Sequence, residues 1–279
     1  MTASNPVAAR RRLTGRAGLT VLAVLMSVIT LFPFLWMVTS SFKTRATVND
    51  GKLIPTEFTF DNFVYVFTEV DFGRYLFNSF FVSAVITVVA LFFHSMAAYA
   101  LARLRFPGRE KIFTLIFATL LITAPVVLIP LFMVVRQLGM LDSYAGLIVP
   151  AIFNAFGIFL LRQFYLGFPR ELEEAAIVDG CSHWRVYWNV VLPMSRPILS
   201  ALAIFFFLAN WNAFVWPLVV TTDPKLQVIQ TAIAQFASQS SSNYNYILAG
   251  TMVAALPMIA VFVFFQRQMV ESIKTSGLK

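Results

Sequence analysis

The stretch Glu171-Leu-Glu-Glu-Ala-Ala-Ile-Val-Asp-Gly180, read on through Cys181 to Pro193 and Pro197, interrupts a strongly apolar chain with carboxylates, an alanine pair and two spaced prolines. Pro169 suits the first turn of a helix, where a missing N–H costs nothing. Glu171, Glu173 and Glu174 then fall where the positive end of the helix dipole favours anions. Gly180 supplies a left-handed C-terminal position, so the predicted helix is short, about 15 Å at 1.5 Å per residue. Leu172, Ala175 and Ala176 recur at i, i+3 and i+4, a small apolar face fit for a groove on another protein. Ser182 is placed to cap a second short helix, and Ser195 with Pro197 to cap and open the next long one. The segment has the character of a surface built to be touched.

What surrounds it is membrane. Of the 279 residues 59% are hydrophobic and 12% charged, too apolar for a soluble domain. Uncharged runs separate Arg16 from Lys43, Arg74 from Arg103, Lys111 from Arg136, Asp142 from Arg162, Arg196 from Asp223 and Lys225 from Arg267. Each is long enough for a span of about 20 residues, which predicts an all-α membrane protein with six transmembrane helices. Lys and Arg number 15 on the side that holds both termini and the Glu171 loop, and 6 on the other side, which also carries seven carboxylates. The positive-inside rule therefore puts both termini and that loop in the cytoplasm, and the net charge of +8 reflects topology rather than nucleic-acid binding. Arg10, Arg11 and Arg12 precede an apolar run too long for a cleaved signal, so this run reads as a retained first span. The expected organisation is a cytoplasmic tail over 1–16, a membrane domain over 17–266 containing the loop 164–197, and a cytoplasmic tail over 267–279.

Along the chain, Pro33 is expected to kink the first helix, and Thr59-Phe60-Asp61-Asn62-Phe63 to open a short interfacial helix. The second helix is predicted from about Asn78 to Leu101, the third from Ile112 to Val135 with a bend at Pro125 and Pro130, and the fourth from Leu147 to Leu161. The fifth is predicted from Ile198 to Val220 and the sixth from Ile247 to Gln266. His94 is an ionisable residue inside the second helix, a candidate for the pathway or for a bond to a neighbouring helix. Asn210, Trp211, Asn212 and Trp216 fall in the outer half of the fifth. Amides at that depth suit a wet cavity, and indole faces suit the C–H faces of a sugar. They equally suit bonds between helices and an interfacial belt. On a regular helix Asn212 and Trp216, at i and i+4, face the cavity together. Cys181 is the single cysteine and, with His183, supplies too few ligands for a metal site.

Glu174-Ala175-Ala176, three residues, Gly180, nine residues and Val190-Val191-Leu192-Pro193 resemble the EAA loop of the membrane subunits of bacterial ABC importers. Ala97-Ala-Tyr-Ala-Leu-Ala-Arg103-Leu-Arg105-Phe-Pro107-Gly108 resembles the carbohydrate-uptake permeases of the maltose type. The likeness extends over nearly the whole chain after Arg16. It implies the type I ABC importer permease fold in the bacterial cytoplasmic membrane. It also implies that Glu171, Glu174, Ala175, Ala176, Asp179 and Gly180 dock on a cytoplasmic ATPase. Two ATPase subunits, which bind ATP and Mg, a second permease chain and an extracytoplasmic solute-binding protein are the implied partners.

Competing classes fare worse on the residues. No Gly-x4-Gly-Lys-[Ser/Thr] loop occurs, so the chain has no ATP site of its own and no cofactor is expected in it. An ion-coupled secondary carrier would place acids within the membrane, whereas all thirteen fall in predicted loops and tails. A membrane enzyme would need a nucleophile with its base or a metal cluster, and the sequence offers neither. The expected solute is hydrophilic, a sugar first, with glycerophosphate-type compounds or polyols as rivals.

Overall fold

In hydrocarbon a chain must pair its own backbone N–H and C=O groups, and the apolar runs do so as α-helices. The computed structural model describes residues 6–239 and 243–276, with side chains for 19–239 and 243–265, and no strand occurs among them. In chain order the helices are α1 (Pro6–Ser41), α2 (Asp61–Thr68), α3 (Phe72–Arg103), α4 (Arg109–Thr119), α5 (Ala124–Gln137), α6 (Tyr144–Ile152) and α7 (Ala155–Leu166). Then follow α8 (Arg170–Val178), α9 (His183–Val186), a π-helical turn over Tyr187–Val191, α10 (Leu192–Met194), α11 (Arg196–Trp211), α12 (Val215–Val220), α13 (Ile229–Gln239) and α14 (Tyr244–Ser276).

Among the described residues four segments are long and apolar enough to cross a membrane: Leu19–Ser41, Phe72–Arg103, Tyr144–Leu166 and Tyr244–Phe265. Two bent pairs, Arg109–Thr119 with Ala124–Gln137 at 101° and His183–Met194 with Arg196–Trp211 at 74°, make six if each pair counts as one span. Pro33 lies inside α1 without ending it. The bend expected at Pro125 and Pro130 falls earlier, at residues 120–123. Pro125 then occupies the first turn of α5, where no N–H is needed, and Pro130 is carried within the helix. The fifth helix differs most from expectation: α11 stops at Trp211 and the chain resumes as helix only at Val215. Asn210 and Asn212 turn their amides back onto the Phe206 and Leu208 carbonyls, both at 2.8 Å, competing with the backbone ladder where it ends.

The chain forms two compact units, residues 1–70 with 236–253, and residues 71–235 with 254–279. The first is knit around the end of α1. Asn62, at the start of α2, donates to the Ser41 and Lys43 carbonyls at 2.7 and 2.8 Å, taking up helix-end acceptors, and Asn245 donates to Asn62 at 2.6 Å. Lys43 is wholly buried, and its ammonium is met by Asp50 at 2.7 Å, by the Lys52 carbonyl and by the Trp36 ring at 5.3 Å. The Lys43 ammonium first, and then the Lys52 backbone N–H donating to Asp50 Oδ1 at 3.0 Å, hold the Asp50 carboxyl below the ordinary carboxylate range. The rings of Phe42 and Phe58 stack at 4.6 Å, as do Tyr65 and Tyr246 at 4.2 Å.

The second unit is built on α3, whose buried face meets α6, α7 and α11. Gly157 permits the crossing: a Cβ there would lie 2.4 Å from His94 Nδ1 and 2.7 Å from Phe206 Cζ. Tyr187 donates to Ser95 at 2.9 Å, and Ser95 bonds Tyr165 at 2.8 Å, so a buried run of hydroxyls roots the π-helical turn on α3 and α7. Ala98, Tyr99, Leu161, Val191, Leu202 and Phe206 fill the space around it.

Candidate docking surface and cavity

Most of the local rules that shape α8 are satisfied, but Pro169, expected in its first turn, falls one residue before the helix and its side chain makes no capping bond. Pro169 stands at the N-cap with Arg170 following, and Glu171 and Glu173 lie in the first turn against the positive helix end. At the other end Gly180 takes φ +84°, its N–H donating to the Ile177 carbonyl and that of Cys181 to the Ala176 carbonyl, both at 2.9 Å. This is the paired-bond closure that a left-handed glycine makes possible. Ser182 caps α9 by accepting from Arg185 N. Ser195 stands at the cap position of α11, but its hydroxyl donates to the Val191 carbonyl at 2.6 Å and leaves the cap itself unmade.

At 100° per residue, Glu171, Glu174, Ala175, Val178 and Asp179 share one face of α8, and all five are exposed, Val178 to 86%. Glu173 and Ala176 point the other way and are half-buried. The alanine pair is therefore split: Ala175 is free, while Ala176 packs with Cys181 against the core. The free face carries three carboxylates with two apolar side chains between them, the chemistry expected of a protein-docking surface. Val178 was not among the sequence candidates, although it falls on this face by the same i, i+3, i+4, i+7 spacing from Glu171.

Inward, Glu173 Oε1 lies 2.8 Å from Arg103 Nε, with the two side chains 12% and 6% exposed. Burial raises the Glu173 carboxyl above its ordinary value, and the Arg103 charge opposes that shift. Arg103 Nη2 also donates to the Phe168 carbonyl. One helix over, Arg162 donates to the Leu101 carbonyl at 3.2 Å and grips both oxygens of Glu110 at 3.0 and 2.9 Å, with its guanidinium 3.8 Å from the Phe113 ring centre.

A cavity of about 370 Å³ lies among α3, α5, α6, α11 and α12. Its polar lining comes from Ser79, Ser83, Asn210 and Trp216, and the rest is aliphatic or aromatic apart from backbone. The Trp216 Nε1 donates to the Gly146 carbonyl at 3.0 Å, leaving the ring itself to the cavity wall. Ser79 accepts from Ile229 N at 2.7 Å, whereas the buried Ser83 hydroxyl has no partner among the described residues. Asn212 lies outside this lining. It is exposed beyond the end of α11, and its side-chain Oδ1 accepts from Gln230 Nε2 at 3.2 Å. The helix break thus separates Asn212 from Trp216 and brings Asn210 and Trp216 together instead. Trp211 is buried at 1% with its ring N–H unpartnered among the described residues, stacked on Phe207. His94 is equally buried and accepts from Asn154 N at 3.1 Å, closing the gap between α6 and α7. Among the described residues no cluster of His, Cys, Asp and Glu is spaced for a metal ion.

Residues 94–274 match the family described as binding-protein-dependent transport system inner membrane component. The chain is 35% identical over 266 residues to the arabinooligosaccharides transport system permease protein AraQ of Halalkalibacterium halodurans, covering 94% of this chain and 95% of that one. It is 34% identical over 262 residues to the lactose transport system permease protein LacG of Rhizobium radiobacter, covering 94% and 96%. Its fold matches a chain of the crystal structure of a bacterial ABC transporter involved in the import of the acidic polysaccharide alginate, with a TM-score of 0.83 at 25% identity, over 96% of this chain and 99% of that chain.

Proposed function

Because the chain belongs to the binding-protein-dependent transport system inner membrane components, we propose that it forms half of the pathway of an ATP-driven importer for a sugar. Its partners are a second permease chain, two cytoplasmic ATPases that bind and hydrolyse ATP with Mg, and an external binding protein that delivers the solute. In this reading all six apolar segments span the membrane, residues before 17 and after 266 are cytoplasmic, and the chain itself does no chemistry. The observation that carries the reading is the free face of α8, where Glu171, Glu174, Ala175, Val178 and Asp179 stand clear of the fold between two membrane helices.

The mechanism is mechanical. ATP closes the ATPase dimer, the docked α8 moves with it, and the helical core passes from inward-facing to outward-facing as a rigid body. Hydrolysis reverses the motion and releases the solute to the cytoplasm. The cavity bordered by Asn210 and Trp216 is the part of the pathway this chain contributes, and its lining carries no lysine or arginine. A neutral sugar or polyol suits that lining better than a glycerophosphate, whose charge would go unmatched.

Co-purification with the ATPases, beside uptake in whole cells, tests the docking. Glu174→Ala is expected to weaken association and cut uptake about tenfold, the loss of one charge-assisted contact of about 1.5 kcal/mol. Wild-type association and uptake with Glu174→Ala and Val178→Asp together would remove α8 from the docking role.

A further inference from the structure

We propose that the Arg103–Glu173 ion pair is the strut that makes α3 move with α8, so that Arg103 and Glu173 are positioning residues for energy coupling. The proposal rests on the docking role of α8 and adds how its displacement reaches the cavity. Three observations carry it.

First, α8 has little else to hold it directly to α3. Its exposed apolar residues, Leu172, Ile177 and Val178, face away from the core, and Ala176 offers one methyl group. The ionic contact, by contrast, is shielded from water on both partners, at 6% and 12% exposure, and is therefore little screened by salt. Second, one guanidinium holds α8 at two places: Arg103 Nε meets the Glu173 carboxylate, and Nη2 meets the Phe168 carbonyl on the segment entering the helix. A shift of α8 must drag that group with it. Third, Arg103 is the last residue of α3, an unbroken helix of 32 residues, and the same helix presents Ser79, Val82, Ser83 and Ile86 to the cavity. From Ser83 to Arg103 is about 30 Å of continuous helix, so a push at one end is delivered at the other. Arg162 keeps the cytoplasmic end of α3 tied to α4 through the Leu101 carbonyl and Glu110, so the struck end cannot fray aside.

A pair that merely fastened α8 in place would matter for assembly, whereas a strut matters after assembly. The test therefore uses the complete complex with its ATPases in proteoliposomes and reads association, ATP hydrolysis and uptake separately. Glu173→Gln keeps shape and removes charge. The expected result is normal association and continuing ATP hydrolysis, with solute moved per ATP falling tenfold or more. Glu173→Asp, which keeps the charge on a shorter arm, should fall in between. In a Cys181→Ser background, Arg103→Cys with Glu173→Cys should be uncoupled and regain transport when joined by a short bis-thiosulfonate linker, then lose it on reduction. Wild-type transport per ATP in Glu173→Gln overturns the proposal. So does a complex that fails to assemble, which would make the pair a fastening only, and so does an assembled double-cysteine complex that linking does not rescue. The docking reading stands or falls on association in Glu174→Ala, a separate measurement.

Discussion

At Gly180 an added Cβ would meet nothing within 4 Å, and yet φ +84° closes the position to most side chains. The cost there is conformational, about 1–2 kcal/mol for an ordinary L-residue, and asparagine bears it best. Association with the ATPases should therefore decline in the order Gly180→Asn, Gly180→Ala, Gly180→Val, and equal association for all three would mean the closure of α8 does not shape the docking face. Gly157 is the opposite case. Its backbone is ordinary, but the space is filled by His94 Nδ1 at 2.4 Å and Phe206 Cζ at 2.7 Å. Gly157→Ala should destabilise the purified protein by about 1–3 kcal/mol through overpacking at the α3–α7 crossing. Adding His94→Ala should recover part of the loss, because the two sites share one contact. Thermal unfolding in detergent reads both, and a double variant no more stable than Gly157→Ala would place the clash elsewhere.

Between elements, Asp142 ties the turn before α6 to the segment that leaves α12. With φ 49° it directs its N–H to the Val220 carbonyl at 3.1 Å, while its carboxylate accepts from Asp223 N at 2.9 Å, Thr222 Oγ1 at 2.7 Å and Thr222 N. Donors from Asp223 first and then Thr222 lower its carboxyl below the ordinary value. A depressed folded pKa means the stabilisation is complete above the unfolded value of about 3.9 and is lost as pH falls through the folded one. Hydrogen exchange of the Thr222 and Asp223 amides, corrected for intrinsic rate, should be slow at pH 6 and speed up below about pH 4, while Asp142→Asn should show no such step. Equal protection of these amides in the native protein and in Asp142→Asn at pH 6 would exclude the clasp. None of these contacts could be read from the chain, because they join residues about 80 positions apart. Local rules were readable: Gly180 as a left-handed stop, Ser182 as a cap, and Asp61 at the start of α2 all depend on neighbours within four residues. The end of α11 was not. An apolar run from Ile198 to Val220 has helical character throughout, and what ends it is amide bonding at Asn210 and Asn212 with Gln230, 18 residues on, completing the turn. The cavity partners changed for the same reason, since i and i+4 share a face only on an unbroken helix.

Across the whole molecule, the proposed topology rests on the same charges that bound the helices. In the proposed topology few cations fall on the outer side, and of these Lys43, just past the end of α1, is sequestered with Asp50. The cations on the other side, such as Arg105, Arg109, Lys111 and Arg170, gather around one open cleft at the turn between α3 and α4 and the start of α8. Such a cluster attracts anionic headgroups at about 1 kcal/mol per charge, so turning the chain over would forfeit several such attractions at once. The proposed topology predicts that α8 and the α12–α13 connection lie on opposite sides of the bilayer. In a Cys181→Ser background, Lys225→Cys should react with a membrane-impermeant maleimide in intact cells and Asp179→Cys should not, both positions being exposed in the fold. In inside-out vesicles the pattern should invert for Asp179→Cys, unless the ATPases are left bound, in which case protection there reports the docked surface directly. Labelling of Asp179→Cys in intact cells, with Lys225→Cys silent, would reverse the orientation and take the docking face of α8 out of reach of any cytoplasmic ATPase.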